Sequence, residues 1–322
     1  MTKPKIYITR HFPGPGIETL RERYNVTMNS SNRVLSKWQL RRAVRGVDVI
    51  VCLLTDRIDA QVLDAAGDNL KLVANYAVGY DNIDIQAAKQ RDIVVTNTPG
   101  VLTHAVAEFT FALALAVARR ITEADRFTRA NKYRQWEPEL MIGMQLEGKT
   151  MGIVGLGRIG GRVAKIAESF GMKVIYTDER RNHTLEKQYN LVFHELDTVL
   201  HEADFISLHL PLLPTTKHLI DAKALASMKP TAIVINTARG PIIHEQALIQ
   251  ALQNKEIAGA GLDVFEREPI ISRQLARLDN VVITPHIGSA TIEARNQMSE
   301  IVAANVIAML ETGKALDPVN ID

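Results

Sequence analysis

Short apolar, β-branched runs alternate with helix-length stretches along almost the whole chain, and no other feature restricts the fold as strongly. IYIT (6–9), VDVIVCLL (47–54), LKLVANYAV (70–78) and IVVTNT (93–98) read as strands, with helical patterns near 13–23, 59–66 and 84–91 between them. A second series follows: MGIVG (151–155), KVIYTD (173–178), DFISLHLP (204–211), AIVINTA (232–238), GAGLDVF (259–265) and NVVITP (280–285). A strand with one wet face alternates apolar and polar residues, whereas one that is apolar throughout is covered on both faces. Such runs joined by helices predict an α/β protein with two doubly wound parallel sheets. No repeat of fixed period and no low-complexity tract interrupts the pattern.

At about 150 residues per domain, 322 residues make two domains. The two series meet between Thr103 and Lys149. Thr103 suits a helix N-cap, and Ala105, Phe109, Ala112, Leu113, Ala116 and Val117 then keep helical spacing. A polar helix follows, and RQWEPELMIGMQLEGKT is too irregular for helix or strand. Residues 290–311 form a last amphipathic helix with no strand after it, so that helix is expected to return to the first domain. The expected division is 1–100 plus 290–322 for one domain and 101–289 for the other.

Composition narrows the function classes. Lys plus Arg number 38 against 36 for Asp plus Glu, a net charge of +2, which argues against a basic face for nucleic acid. The basic clusters (Arg41, Arg42 and Arg45; Arg119 and Arg120; Arg180 and Arg181) are scattered and read as solvated helix ends. Cys52, the single cysteine, lies in an apolar run and reads as a small buried hydrophobe in a reducing compartment. MTKPKIYITR has no secretory pattern, and FALALAVARR falls short of the ~20 apolar residues of a membrane span. The expectation is a cytoplasmic chain that engages neither membrane nor nucleic acid.

Two segments have the form of phosphate-binding loops. Gly143, Gly148, Lys149 and Thr150 match the P-loop pattern, but an irregular segment precedes them and a strand follows, the reverse of what that loop needs. Gly155-Leu156-Gly157-Arg158-Ile159-Gly160 has the required context: a strand ends at Gly155, and a helix runs from about Arg158 to Phe170 before Gly171. The next strand ends in Asp178, eighteen residues beyond Gly160. Glycines allow the backbone close to a pyrophosphate at a helix N-terminus, and a carboxylate at that distance accepts from the adenosine ribose hydroxyls. Asp178 would repel a 2′-phosphate, which favours NAD over NADP. Arg180 and Arg181 could instead reach such a phosphate, so NADP stays possible.

Carbonyl chemistry with a nicotinamide needs a proton donor beside the oxygen and a cation for substrate charge. Three strand ends offer such groups: Arg239 after AIVINTA, Asp263, Glu266 and Glu268 in GLDVFEREP, and His286 in TPHIG. Ligands of open α/β sheets bind at the carboxyl ends of strands, so these groups can converge. Each also has a plain structural reading, as a surface charge or an acidic turn. His183, His194, His201, His218 and His244 look solvated, His104 sits at a helix start, and His209 is a candidate for the nucleotide pocket.

YAVGYDNID (76–84), the glycine motif with Asp178, NTARG (236–240), GLDVFEREP (261–269) and TPHIGSAT (284–291) together resemble the D-isomer-specific 2-hydroxyacid dehydrogenases over nearly the whole chain. The resemblance implies a Rossmann NAD-binding domain inserted into a flavodoxin-like substrate domain, with a cleft between them. It gives Arg239 the 2-oxo acid carboxylate and carbonyl, His286 the acid/base role, and Glu268 the hydrogen bond to His286. Val78 and Gly79 match the loop whose N–H groups meet the substrate carboxylate. Thr103, Arg158, Ile159, His209, Pro211, Thr237, Ala238 and Asp263 match cofactor-contacting positions, with Gly288 beside the nicotinamide.

Within the family, Glu268 speaks against formate dehydrogenases, which carry glutamine there, and NYAVGYDN lacks the lysine of phosphite dehydrogenases. ANYAVGYDNID and Trp136-x-Pro138 look most like glyoxylate/hydroxypyruvate reductases, many of which carry Arg, Ser or Thr in place of Asp178 and use NADPH. Dehydrogenases of 2-ketogluconate, 3-phosphoglycerate or D-lactate are the alternatives, as is an NADH-sensing corepressor without turnover. The family further implies a homodimer built on 103–145, with Trp136 either a packing anchor or an aromatic lent to the neighbouring active site.

Overall fold

A computed structural model describes residues 3–319. The chain divides into two compact units, Met1–Leu102 with Ala290–Asp322, and Thr103–Ser289. In chain order the elements up to the division are β1 (Lys5–Ile8), α1 (Gly16–Arg23), β2 (Asn25–Met28), α2 (Lys37–Ala43), β3 (Val49–Leu53), α3 (Ala60–Ala66), β4 (Leu72–Tyr76), α4 (Ile85–Lys89) and β5 (Val94–Thr96). Next come α5 (Thr103–Ala118), α6 (Ile121–Arg129), β6 (Thr150–Val154), α7 (Arg158–Ser169), β7 (Lys173–Thr177), α8 (His183–Tyr189), β8 (Val192–Phe193) and α9 (Leu196–Glu202). The remainder are β9 (Phe205–Leu208), α10 (Ala222–Ala226), β10 (Ile233–Asn236), α11 (Glu245–Gln253), β11 (Gly259–Leu262), β12 (Val281–Ile283) and α12 (Ile292–Thr312).

Both sheets are parallel throughout. The first has the order β2-β1-β3-β4-β5, the flavodoxin-like 2-1-3-4-5 winding. The second runs β12-β11-β10-β9-β6-β7-β8, the 3-2-1-4-5-6 dinucleotide-binding order with a seventh strand at its edge. In this sheet the order reverses between β6 and β9, so the ends of those two strands flank the switch point.

The central strands are buried end to end, as their apolar runs require: β4 and β10 contain no exposed residue. Two edge strands escape the sequence pattern. In β2, Asn25 to Met28 alternate between exposed and half-buried, and β8 is only two residues long, so neither leaves a continuous apolar run. Asp59, Asp84, Asp221 and Thr291 each accept an N–H from the first turn of the helix they precede, and Ser36 with Gln39 forms a capping box at α2. Thr103 is the first residue of α5 rather than its cap.

In the second unit α5 packs closely on β11 because glycine leaves room. A Cβ at Gly261 would meet Leu113 and Ile235, and one at Gly259 would meet Val117. In the first unit α12 lies against α1 and β4. Ser299 of α12 accepts the Gly16 N–H at 2.8 Å, and the Tyr76 hydroxyl donates to the Arg295 carbonyl. Among the described residues no helix is long and apolar enough to cross a membrane.

Candidate active site

The turn from β6 to α7 is shaped by its glycines. Gly155 has φ +96, a left-handed conformation costly for other residues, and a Cβ there would strike the His209 carbonyl and the Leu210 side chain. A Cβ at Gly160 would overlap the Gly155 carbonyl, so α7 sits directly on the turn. At Gly157 a Cβ would meet nothing within 4 Å, which leaves open backbone at the N-terminus of α7. Asp178 accepts the Leu156 N–H through Oδ2 at 2.6 Å, which ties the end of β7 to this turn and leaves Oδ1 available. Open glycine backbone, a helix N-terminus and a carboxylate one strand away fit a dinucleotide.

Arg181 is exposed just before α8, as expected, but it is paired. Glu186 grips it with two hydrogen bonds of 3.0 Å, and its guanidinium lies 5.3 Å from the centre of the Phe193 ring. The Tyr176 hydroxyl also donates to Glu186, at 2.6 Å. Arg181 and Tyr176 hold the Glu186 carboxyl down at about 2, so the pair stays charged across the ordinary pH range. A 2′-phosphate would compete with this carboxylate for Arg181.

His209 stands beside Gly155 through its backbone, while its ring Nε2 lies 2.8 Å from the Ser207 hydroxyl. Desolvation lowers its pKa to about 3, so this ring is neutral. The Pro211 carbonyl accepts from the Thr216 hydroxyl, and the Thr237 hydroxyl pairs with that of Thr110.

Around β10, β11 and β12 the second unit brings Arg239, Glu268 and His286 together. His286 Nδ1 lies 2.9 Å from Glu268 Oε2, and Glu268 Oε1 accepts the Phe265 N–H at 3.0 Å. Burial raises the Glu268 pKa, but the His286 hydrogen bond and charge, the Phe265 N–H and the Arg239 guanidinium outweigh it and leave the carboxyl below its usual range. With Nδ1 directed at the carboxylate, Nε2 is the nitrogen left for a substrate.

His286 has φ +55, a left-handed conformation rare for a residue with a side chain. Asp263 imposes it. The buried carboxylate accepts the Thr284 hydroxyl at 2.6 Å, the Ile287 N–H at 2.8 Å and the Gly288 N–H at 2.7 Å, while the Asp263 carbonyl accepts the His286 N–H. With two donors on Oδ1 and one on Oδ2, Asp263 shapes the His286 loop.

Arg239 follows β10. Asn236, buried at that strand's end, accepts the Ala238 N–H and donates to the Arg239 carbonyl, which forms the turn. A Cβ on Gly240 would overlap the Phe265 carbonyl group, so the Arg239 and Glu268 loops touch backbone to backbone.

A brace behind these loops was not legible in the sequence. His218 Nε2 lies 3.0 Å from Glu266 Oε1, Glu266 Oε2 accepts the Glu245 N–H, and the His218 and His244 rings meet edge to face at 4.8 Å. His244 also caps α11 by accepting the Ala247 N–H. These two histidines are structural members, not solvated ones. Val78 and Gly79 belong to the first unit, in the loop after β4. Trp136 is 77% exposed, so it anchors no packing within this chain.

Comparisons with known proteins identify the family. Residues 111–288 match the model of the D-isomer specific 2-hydroxyacid dehydrogenase, NAD binding domain. The chain is 50% identical over 310 residues to a glyoxylate reductase of Thermococcus litoralis, covering 95% of this chain and 93% of that one. A glyoxylate reductase of Thermofilum pendens is likewise 50% identical, over 97% of this chain and 93% of its own. Among solved structures, an NADPH-dependent glyoxylate/hydroxypyruvate reductase of Sinorhizobium meliloti, in complex with NADP and malonate, superposes with a TM-score of 0.86 at 32% identity, covering 99% of this chain and 97% of that one. The chain is an oxidoreductase and belongs to the D-isomer specific 2-hydroxyacid dehydrogenase family.

Proposed function

We propose that this protein reduces a small 2-oxo acid, glyoxylate or hydroxypyruvate, to the 2-hydroxy acid (the D form where the product is chiral), with NADH preferred over NADPH. The observation that carries the reading is the 2.9 Å His286–Glu268 pair beside Arg239. A bound nicotinamide supplies the hydride for the carbonyl carbon. His286, through Nε2, gives the proton that the carbonyl oxygen takes up, and in the reverse direction accepts it from the alcohol. Glu268 fixes the imidazole orientation and its tautomer. Arg239 binds the carboxylate and polarises the carbonyl, and its planar donors suit both tasks. Gly157, Arg158, Ile159 and Asp178 hold the dinucleotide. Asp178 and the engaged state of Arg181 support NADH, while the exposed Arg180 keeps NADPH usable at lower efficiency.

The names of the relatives support glyoxylate as substrate. The decisive assay follows NADH and NADPH absorbance with glyoxylate, hydroxypyruvate, pyruvate, 2-ketogluconate and 3-phosphohydroxypyruvate. The expected result is turnover of the first two, faster with NADH; silence across the panel would overturn the enzymatic reading in favour of an NADH sensor.

The same reading makes the protein a cytoplasmic homodimer joined through residues 103–145. Helix α6 buries none of its residues, and Tyr133, Trp136 and Ile142 are exposed along the following segment. Apolar side chains gathered in this way mark an interface. Sedimentation at micromolar concentration is expected to show a dimer, and a monomer would refute this surface.

A further inference from the structure

The loop after β4 holds three successive carbonyls by three different donors. The Ala77 carbonyl accepts the Thr98 N–H at 2.9 Å, the Val78 carbonyl accepts Asn97 Nδ2 at 2.7 Å, and the Gly79 carbonyl accepts Asn75 Nδ2 at 2.9 Å. In a trans peptide the C=O and the following N–H point in opposite directions. Holding these carbonyls therefore sets the directions of the Val78, Gly79 and Tyr80 N–H groups. Among the described residues none of the three donates to a protein acceptor. Successive amides of this kind attract an anion.

The two asparagines differ in support. Asn75 is fully buried, and its Oδ1 accepts the Cys52 thiol and Asn82 Nδ2, each at 3.5 Å. Asn82 Nδ2 in turn reaches the Leu53 and Asp56 carbonyls. Asn97 is half-buried, and its bond to Val78 is the shortest of the three.

We infer that Asn97 and Asn75 are positioning residues for carboxylate recognition: they turn the Val78 and Gly79 carbonyls away from the anion, and so the Gly79 and Tyr80 N–H groups towards it. The inference rests on the proposed 2-oxo acid reduction and deepens it. Without Asn97 the peptide between Val78 and Gly79 is free to rotate, and its carbonyl oxygen then repels the carboxylate it should help bind. Neither asparagine touches the reacting carbonyl, so their loss should affect charge recognition and spare the chemical step.

The test compares glyoxylate with its uncharged methyl ester in Asn97→Ala and in Asn97→Leu, the latter close in size but with no donor. The expected result is a KM for glyoxylate raised about 10- to 100-fold, the loss of one charge-assisted hydrogen bond. Expected alongside are kcat within about threefold, unchanged constants for the ester, and unchanged NADH affinity by fluorescence titration. Equal losses for acid and ester, or a fall in kcat with KM unmoved, would overturn the inference and leave Asn97 a purely structural residue. Should the wild type reduce no 2-oxo acid, the proposed function fails, and the positioning role is read separately by calorimetry with oxamate. Binding to wild type that Asn97→Leu abolishes supports the role; equal binding, or none to either, refutes it.

Discussion

Replacing His286 with alanine is expected to lower kcat for 2-oxo acid reduction by about 10³, within the range that a positioned acid contributes, and to leave NADH affinity within about twofold. The ring is the one proton donor held by a carboxylate at the end of β12, and its Nδ1 is already committed to Glu268. His286 already carries the cost of φ +55, about 1 kcal/mol for a residue with a Cβ, so alanine changes it little. Asparagine tolerates the left-handed region and carries no titratable proton, so His286→Asn removes the acid while keeping the loop conformation. Both variants should lose turnover alike while coenzyme titration stays near wild type. Wild-type turnover in either would remove His286 from the mechanism.

Gly240→Ala should be the most damaging change that leaves every functional side chain in place. The added methyl would lie on the Phe265 carbonyl group, and no rotamer relieves a clash between two backbones. Either the turn formed by Asn236 and Arg239 moves, or the 264–268 loop moves with Glu268 and the His218–Glu266 brace. A stability loss of about 3 kcal/mol or more is expected, read as a fall in Tm of roughly 6 °C or more for a unit of this size. Displacing Arg239 or Glu268 by about 1 Å should also cost roughly 10² in kcat/KM. Calorimetric unfolding together with steady-state kinetics checks both; an unchanged Tm would mean that the loops do not meet as described.

The motif order NTARG, GLDVFEREP, TPHIGSAT was readable because each motif follows a strand, and strands apolar on both faces announce themselves. The same rule explains β2 and β8: β2 has no fully buried residue and β8 is two residues long, so neither carries a run to detect. Asp178 was legible from its distance to the glycine turn, whereas the capture of Arg181 by Glu186 was not, because their proximity depends on how α8 leaves its loop.

By itself the sequence determined the two parallel sheets, the glycine turn and the residue types at the strand ends, since all of these follow from local periodicity and short-range backbone preference. Tertiary structure alone decided which of those residues meet. Glu268 and His286 are 18 residues apart in the chain, and His218 and Glu266 are 48 apart. Asn97 and Val78, 19 residues apart, belong with them. Such contacts depend on the directions in which neighbouring strands release their loops, and a hydrogen bond that fails by an ångström or a few tens of degrees is lost. Apolar burial is tolerant and leaves its record in the pattern; hydrogen-bond geometry is exacting and appears only when the sheets are assembled.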